Sequence, residues 1–237
     1  MAVQILSYPQ YAYSKNTYGA RRITTLAYIR ALAAYPQCRE QLIECRTVAS
    51  KADPNDIGAD ETTNAACVLA LEYCFYDMQI APYQDNNYNY YDIARTSYQS
   101  QWSRYATGYL NQAIVQQALG VPLNFTDNSD FVSRAFESTG DGMRGGYLDK
   151  YGSLLDSGIT VALVYGDRDY QCNWLGGEQV SLAIPFRAQK EFLTAGYTNF
   201  VSNGVVAGQV RQHGNLSFTR VYQAGHEGKS VSLITTF

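Results

Sequence analysis

The chain has 237 residues and a net charge of −3, with 16% charged and 46% hydrophobic residues. That balance gives no electrostatic case for nucleic acid, and no run of about 18 apolar residues exists to span a membrane. The length suits one large domain, or one and a half ordinary ones, with a substantial core.

The opening stretch MAVQILSYPQYAYSKN lacks the apolar block that a secretion signal needs. Lys15, Arg21 and Arg22 form the nearest approach to a basic cluster and read as a solvated face. Tyrosine is abundant, 21 in all, with Tyr88, Tyr90 and Tyr91 crowded into QDNNYNYYDIA. Tyrosine and asparagine with little lysine is a surface habit of secreted proteins and also a common lining of binding clefts. Asn124 and Asn215 open N-glycosylation acceptor patterns, which arise often by chance.

Two stretches that follow read as helices, each carrying two cysteines. Cys38, Cys45, Cys67 and Cys74 are spaced C-x6-C-x21-C-x6-C. Seven residues is nearly two helical turns, so each pair shares a face, yet its members stand about 10 Å apart along the axis. That is too far for a bridge within one helix. The segment KADPNDIGAD between them is a turn by composition. An antiparallel hairpin then demands nested bridges, Cys38–Cys74 and Cys45–Cys67; the alternative is four buried free thiols. Disulfides imply an oxidising compartment, at odds with the missing signal. The expectation is that the sequence lacks its natural N-terminus.

A further helix is expected over Asn111 to Leu119, stopped by Gly120 and Pro122. At the glycine-rich GDGMRGG the character changes, which divides the chain into residues 1–143, helical and tyrosine-rich, and 144–237, alternating. YLDKYGSLLDSG reads as a helix, ITVALVYG as a continuous apolar strand, and EQVSLAIPF as a short helix. The stretch beginning VVAGQV reads as a hairpin turning at His213-Gly214-Asn215. A strand apolar on both faces expects sheet neighbours on each edge and helices above and below.

That strand runs into GDRDYQCN, with Asp167 and Asp169 at its mouth. Turns use Gly-Asp for backbone reasons alone. Of the two histidines, His213 sits in the hairpin turn and reads as a surface residue. His226 follows a strand between Gly225 and Gly228. Asp169 followed 57 positions later by His226 fits the acid and base of an α/β-hydrolase, whose nucleophile, acid and histidine occur in that order. There the acid orients the imidazole, which takes the proton of the serine.

VYGDRDYQCNWLGGE and VYQAGHE resemble the serine carboxypeptidases, most closely the fungal branch. YLNQAIVQQALGV and SYPQYAYSKNTYG resemble other segments of that family. The resemblance covers nearly the whole chain. It implies an α/β fold: part of an α/β-hydrolase core in residues 144–237, with a disulfide-stapled helical insertion, or cap, in residues 1–143. It implies Asp169 as catalytic acid and His226 as base, with Asp167 part of the turn that presents the acid. Cys172 would be the family's free cysteine beside the substrate pocket, with Asn173 and Glu227 among the substrate-binding residues. The implied substrate is the C-terminus of a peptide, handled in the secretory pathway without cofactor, metal, nucleic acid or membrane.

Two departures stand out. No G-x-S-x-G occurs in the sequence, whereas the family's nucleophile lies in G-E-S-Y-G, and without it acyl-enzyme chemistry is unavailable. After the histidine the chain reads GKSVSLITTF rather than the family's proline-containing continuation. The expectation is therefore a carboxypeptidase fragment, inactive alone, and the alternative is a non-catalytic pseudoenzyme or binding fragment.

Overall fold

The computed structural model describes residues 4–84, 88–96 and 101–226. A short helix α1 (Ser7–Gln10) winds on as a π-helix through Tyr11–Lys15. Next comes α2 (Thr25–Ala52), started by Thr24, whose hydroxyl accepts the Ala27 N–H. Asp60 caps α3 (Glu61–Leu71) in the same way through the Thr63 N–H. A π-wound stretch, Glu72–Ile80, prolongs α3 into α4 (Ala81–Gln84).

The buried positions along α2 include Cys38, Leu42, Cys45 and Ala49; those along α3 and its extension include Thr63, Cys67, Ala70, Cys74 and Met78. Steps of three and four keep each set on one face, so the two helices can seal against each other. They do so as an antiparallel hairpin with nested bridges. Cys38–Cys74 and Cys45–Cys67 have Cα separations of 4.9 and 4.6 Å.

The helices α5 (Gln101–Leu110), α6 (Ala113–Leu119) and α7 (Asp130–Thr139) follow. Leu119 ends α6 as expected, with Gly120 taking the left-handed turn. Neither α6 nor α7 has a buried residue, and Ile114, Phe131 and Phe136 stand exposed.

After α8 (Tyr147–Asp156) the chain enters β1 (Val161–Gly166), then α9 (Trp174–Ala183) and α10 (Gln189–Thr194). It closes with β2 (Tyr197–Ser202), β3 (Val205–His213) and β4 (Leu216–Val221). The sheet order is β1-β4-β3-β2, parallel between β1 and β4 and antiparallel elsewhere. Sequence reasoning found three of these strands and missed β2, whose polar-rich YTNFVS lacks an apolar run. Of the neighbours expected on the two edges of β1, the described residues supply one. Among the described residues β1 pairs only with β4, and Val164 is 62% exposed.

Two cores result. Leu155, Val161, Ile184, Phe192, Leu216 and Phe218 form the smaller, between the sheet and its helices. The larger surrounds the disulfide hairpin and includes Ile5, Tyr8 and Tyr11, and also Tyr170 from beyond β1. Packing of the larger core crosses the composition change near Met143.

Candidate active site

Three segments meet at the carboxyl ends of the parallel strands β1 and β4, and two glycines let them. A Cβ on Gly166 would lie 2.4 Å from the carbonyl oxygens of Ala224 and Gly225, and one on Gly225 would lie 2.4 Å from the Tyr91 carbonyl. Only a residue without a side chain allows such approach. Main-chain bonds then lace the segments together. Asp167 N–H donates to Val221 O, Arg168 N–H to Ala224 O, Ile93 N–H to Arg168 O, and His226 N–H to Tyr91 O, at 2.8–2.9 Å. The amides of Tyr170 and Gln171 both donate to Tyr90 O.

This lacing brings the two expected catalytic side chains together. His226 Nδ1 lies 2.8 Å from Asp169 Oδ2. The Asp169 side chain is 4% exposed and the imidazole 40%. A buried carboxylate at that distance fixes the ring and holds the proton on Nδ1, leaving Nε2 as the basic nitrogen. The second carboxylate oxygen, Oδ1, accepts the Cys172 N–H at 3.0 Å. Tyr91 packs edge-on against the imidazole, with ring centroids 5.1 Å apart.

Asp167 is fully buried, and burial holds its carboxyl above the ordinary value. Its Oδ1 accepts the Tyr18 hydroxyl at 2.9 Å and the Gln223 N–H at 2.8 Å. Tyr11, its own hydroxyl kept protonated by burial, donates to the Asp167 carbonyl at 2.7 Å.

Cys172 is a free thiol that reaches solvent, pushed up to about 11 by desolvation and then by the charge of Asp169. Asn173 is buried and caps α9, its Oδ1 accepting the Gly176 N–H at 3.0 Å. Glu227 lies outside the described residues. Of the two glycosylation candidates, Asn124 is exposed. The Asn215 amide donates instead to Leu155 O and Ile159 O, at 2.9 and 2.8 Å. Donor atoms of Asp169, Cys172 and His226 lie within 4.8 Å of one another, close enough to invite a metal ion. The direct bond between carboxylate and imidazole fits an acid–base pair without one.

Sequence reasoning did not assign Tyr11, Tyr18, Tyr90 and Tyr91 to this site. The crowding of tyrosines around Tyr90 was the available signal.

A carboxylate and an imidazole on adjoining loops, at the ends of parallel strands backed by helices, make an α/β-hydrolase type of site. A family model described as serine carboxypeptidase matches residues 1–233. The chain belongs to the serine carboxypeptidase family. Carboxypeptidase S1 homolog A of Arthroderma otae is 45% identical over 230 residues, 94% of this chain and 35% of that protein. Carboxypeptidase Y homolog of Arthroderma benhamiae is 42% identical over 224 residues, 91% of this chain and 36% of that one. The chain thus spans about a third of the length of these relatives. The fold is similar to the crystal structure of Kex1(delta)p, a prohormone-processing carboxypeptidase from Saccharomyces cerevisiae. That match has a TM-score of 0.59 at 19% identity and covers 96% of this chain and 48% of that one.

Proposed function

We propose that this chain carries the acid and base of a serine carboxypeptidase that releases C-terminal residues from peptides. The observation that carries the reading is the 2.8 Å bond between His226 Nδ1 and buried Asp169 Oδ2 at the end of β1. In this chemistry His226 Nε2 takes the proton of a serine hydroxyl as it attacks the scissile carbonyl, then returns it to the leaving amine. Asp169 stabilises the imidazolium in between. The Cys172 N–H steadies Asp169 from the other side.

The nucleophile needs a G-x-S-x-G serine, which these 237 residues do not contain. The pair alone is therefore poised but unable to form an acyl-enzyme. Cys172, Asn173 and Glu227 are the proposed pocket residues, and Asn124 is the better placed of the two glycosylation candidates. Two disulfides favour the oxidising secretory pathway as the working compartment.

Fluorophosphonate labelling tests this reading. The 237-residue chain is expected to take no label and to leave blocked dipeptides intact. Protein purified from its source is expected to label and to release C-terminal residues, and Asp169→Ala or His226→Ala introduced there should abolish release. Source protein that never labels would favour the second reading, a non-catalytic binding protein, which the missing motif supports. Labelling of the 237-residue chain would place a working serine inside it and refute the division of roles.

A further inference from the structure

We propose that Asp167 is a positioning residue, whose buried carboxylate ties the main chain of the His226 loop to the end of β1 and thereby sets the imidazole against Asp169. The inference rests on reading Asp169 and His226 as the acid–base pair.

Asp167 is 0% exposed, and none of the ion pairs among the described residues includes it. A buried carboxylate without a close cation is costly. A turn aspartate would explain itself by bonding main chain two residues on, but the bonds of Asp167 are not local. Its oxygens accept from Tyr18, 149 positions earlier, and from the Gln223 N–H, 56 positions later. The Gln223 N–H also points at the Tyr18 hydroxyl, 3.1 Å away. Three groups from three parts of the chain thus close on one another.

Gln223 is where such a closure matters. Its φ is +58°, in the left-handed region that a residue carrying a Cβ enters at a cost. The carboxylate bond to its N–H holds the chain in that bend. Three residues later the same loop delivers His226. The loop has two other anchors, Ala224 O on Arg168 N–H and His226 N–H on Tyr91 O. Loss of the carboxylate should therefore loosen the loop at the bend without unfolding the sheet. Around the carboxylate stand Tyr11 and Tyr18 from the N-terminal segment, Arg220 from β4, and Asp169 on its own turn. Burial raises the carboxyl of Asp167, while the bonds from Tyr18, Gln223 and Thr17 and the charge of Arg220 oppose the rise. The tether is thus a group in which desolvation and hydrogen bonding are set against each other.

Solution NMR of the disulfide-intact, 15N-labelled chain tests the proposal without needing turnover. The Nδ1 proton of His226, bonded to a buried carboxylate, should give a low-field imidazole resonance; exposed His213 should give none. Asp167→Ala is expected to abolish that resonance and to speed amide exchange at Gln223 about tenfold, the equivalent of one lost hydrogen bond. Exchange across Val161–Gly166 should not change. Asp167→Asn, which keeps an oxygen to accept the Gln223 N–H, should restore both signals, as a merely charge-dependent role would not. Asp167→Val fills the vacated space without an acceptor and should reproduce the alanine result if the alanine variant folds poorly. Retention of the low-field proton and of Gln223 protection in Asp167→Ala or Asp167→Val would overturn the proposal. So would loss of sheet protection in both, which would make the role one of folding. Asp169→Ala separates the underlying reading. If it leaves the low-field proton in place, the acid–base pairing is wrong, and Gln223 exchange still decides whether Asp167 holds the loop.

Discussion

Arg144 reaches back 91 positions to place Nη1 2.5 Å from Oδ2 of Asp53, with 1% and 6% of the two side chains exposed. Its Nη2 donates to Asn64 Oδ1 at 2.6 Å. Asp53 ends α2 and also accepts the amides of Ile57 and Gly58. One guanidinium thereby pins the turn of the disulfide hairpin to the segment that leads into α8.

Removing that guanidinium leaves an unpaired buried carboxylate. Arg144→Ala is expected to cost about 3 kcal/mol, the low end for breaking a buried pair, because Asp53 keeps its two amide donors. Urea unfolding under oxidising conditions measures it. A loss under about 1 kcal/mol would place the pair among ordinary surface bridges.

The same carboxylate sets a pH dependence. The Gly58 and Ile57 amides, then Arg144, hold Asp53 below the ordinary aspartate value of 3.8. Its folded value is depressed, so its contribution is fully present above 3.8 and is lost as pH falls through the folded value. Asp60, held down chiefly by Thr63, acts with the same sign. Asp167, raised, acts with the opposite sign: its ionised form opposes folding above 3.8. Unfolding midpoints followed from pH 5 downward should fall for the native chain and fall less steeply for Asp53→Asn. Equal slopes would remove Asp53 from the account.

The nested bridges should not contribute additively. Cys45–Cys67 closes a separation of 22 residues and Cys38–Cys74 one of 36. Either alone corresponds to about 3–4 kcal/mol of chain entropy. With the inner bridge intact the outer one closes only the two seven-residue arms, so its removal should cost less than its span suggests. A double-mutant cycle of paired Cys→Ser variants would measure the coupling, and strict additivity would contradict the nesting.

Cys172 is exposed, yet burial of the sulfur and the nearby Asp169 charge both disfavour its thiolate. With its thiol pushed up to about 11, alkylation by iodoacetamide should be slow at pH 7 and climb steadily toward that pH. Asp169→Asn removes the second-largest cause of the shift and should speed alkylation at pH 8. Rapid stoichiometric labelling of the native chain at pH 7 would show that the thiolate is stabilised instead.

The disulfide pattern was legible because helical spacing and nesting are geometric consequences of C-x6-C repeated across a turn. That Asp169 and His226 would meet was legible because the α/β-hydrolase fold carries an acid and then a histidine in that chain order. Tyr18 and Gln223 were not. Their part in the site comes from a closure across 205 positions, and no local pattern records it. Strand β2 was lost for a related reason: its residues are ordinary, and only the β3 partner makes them a strand. The apolar run of β1 reports what the strand can bury, not which neighbours stand beside it, and Val164 is exposed.

Tyr170, the residue after Asp169, donates its hydroxyl to Gln79 O at 2.5 Å and stacks on Tyr83 at 4.1 Å. Both partners follow Cys74 along the helix that the outer disulfide fixes. The hairpin and the Asp169 turn are therefore packed as one unit. A replacement hairpin in this chain would have to offer Tyr170 the same carbonyl and the same ring. Grafting the hairpin alone would leave that tyrosine without its seat and the carboxylate beside it out of register.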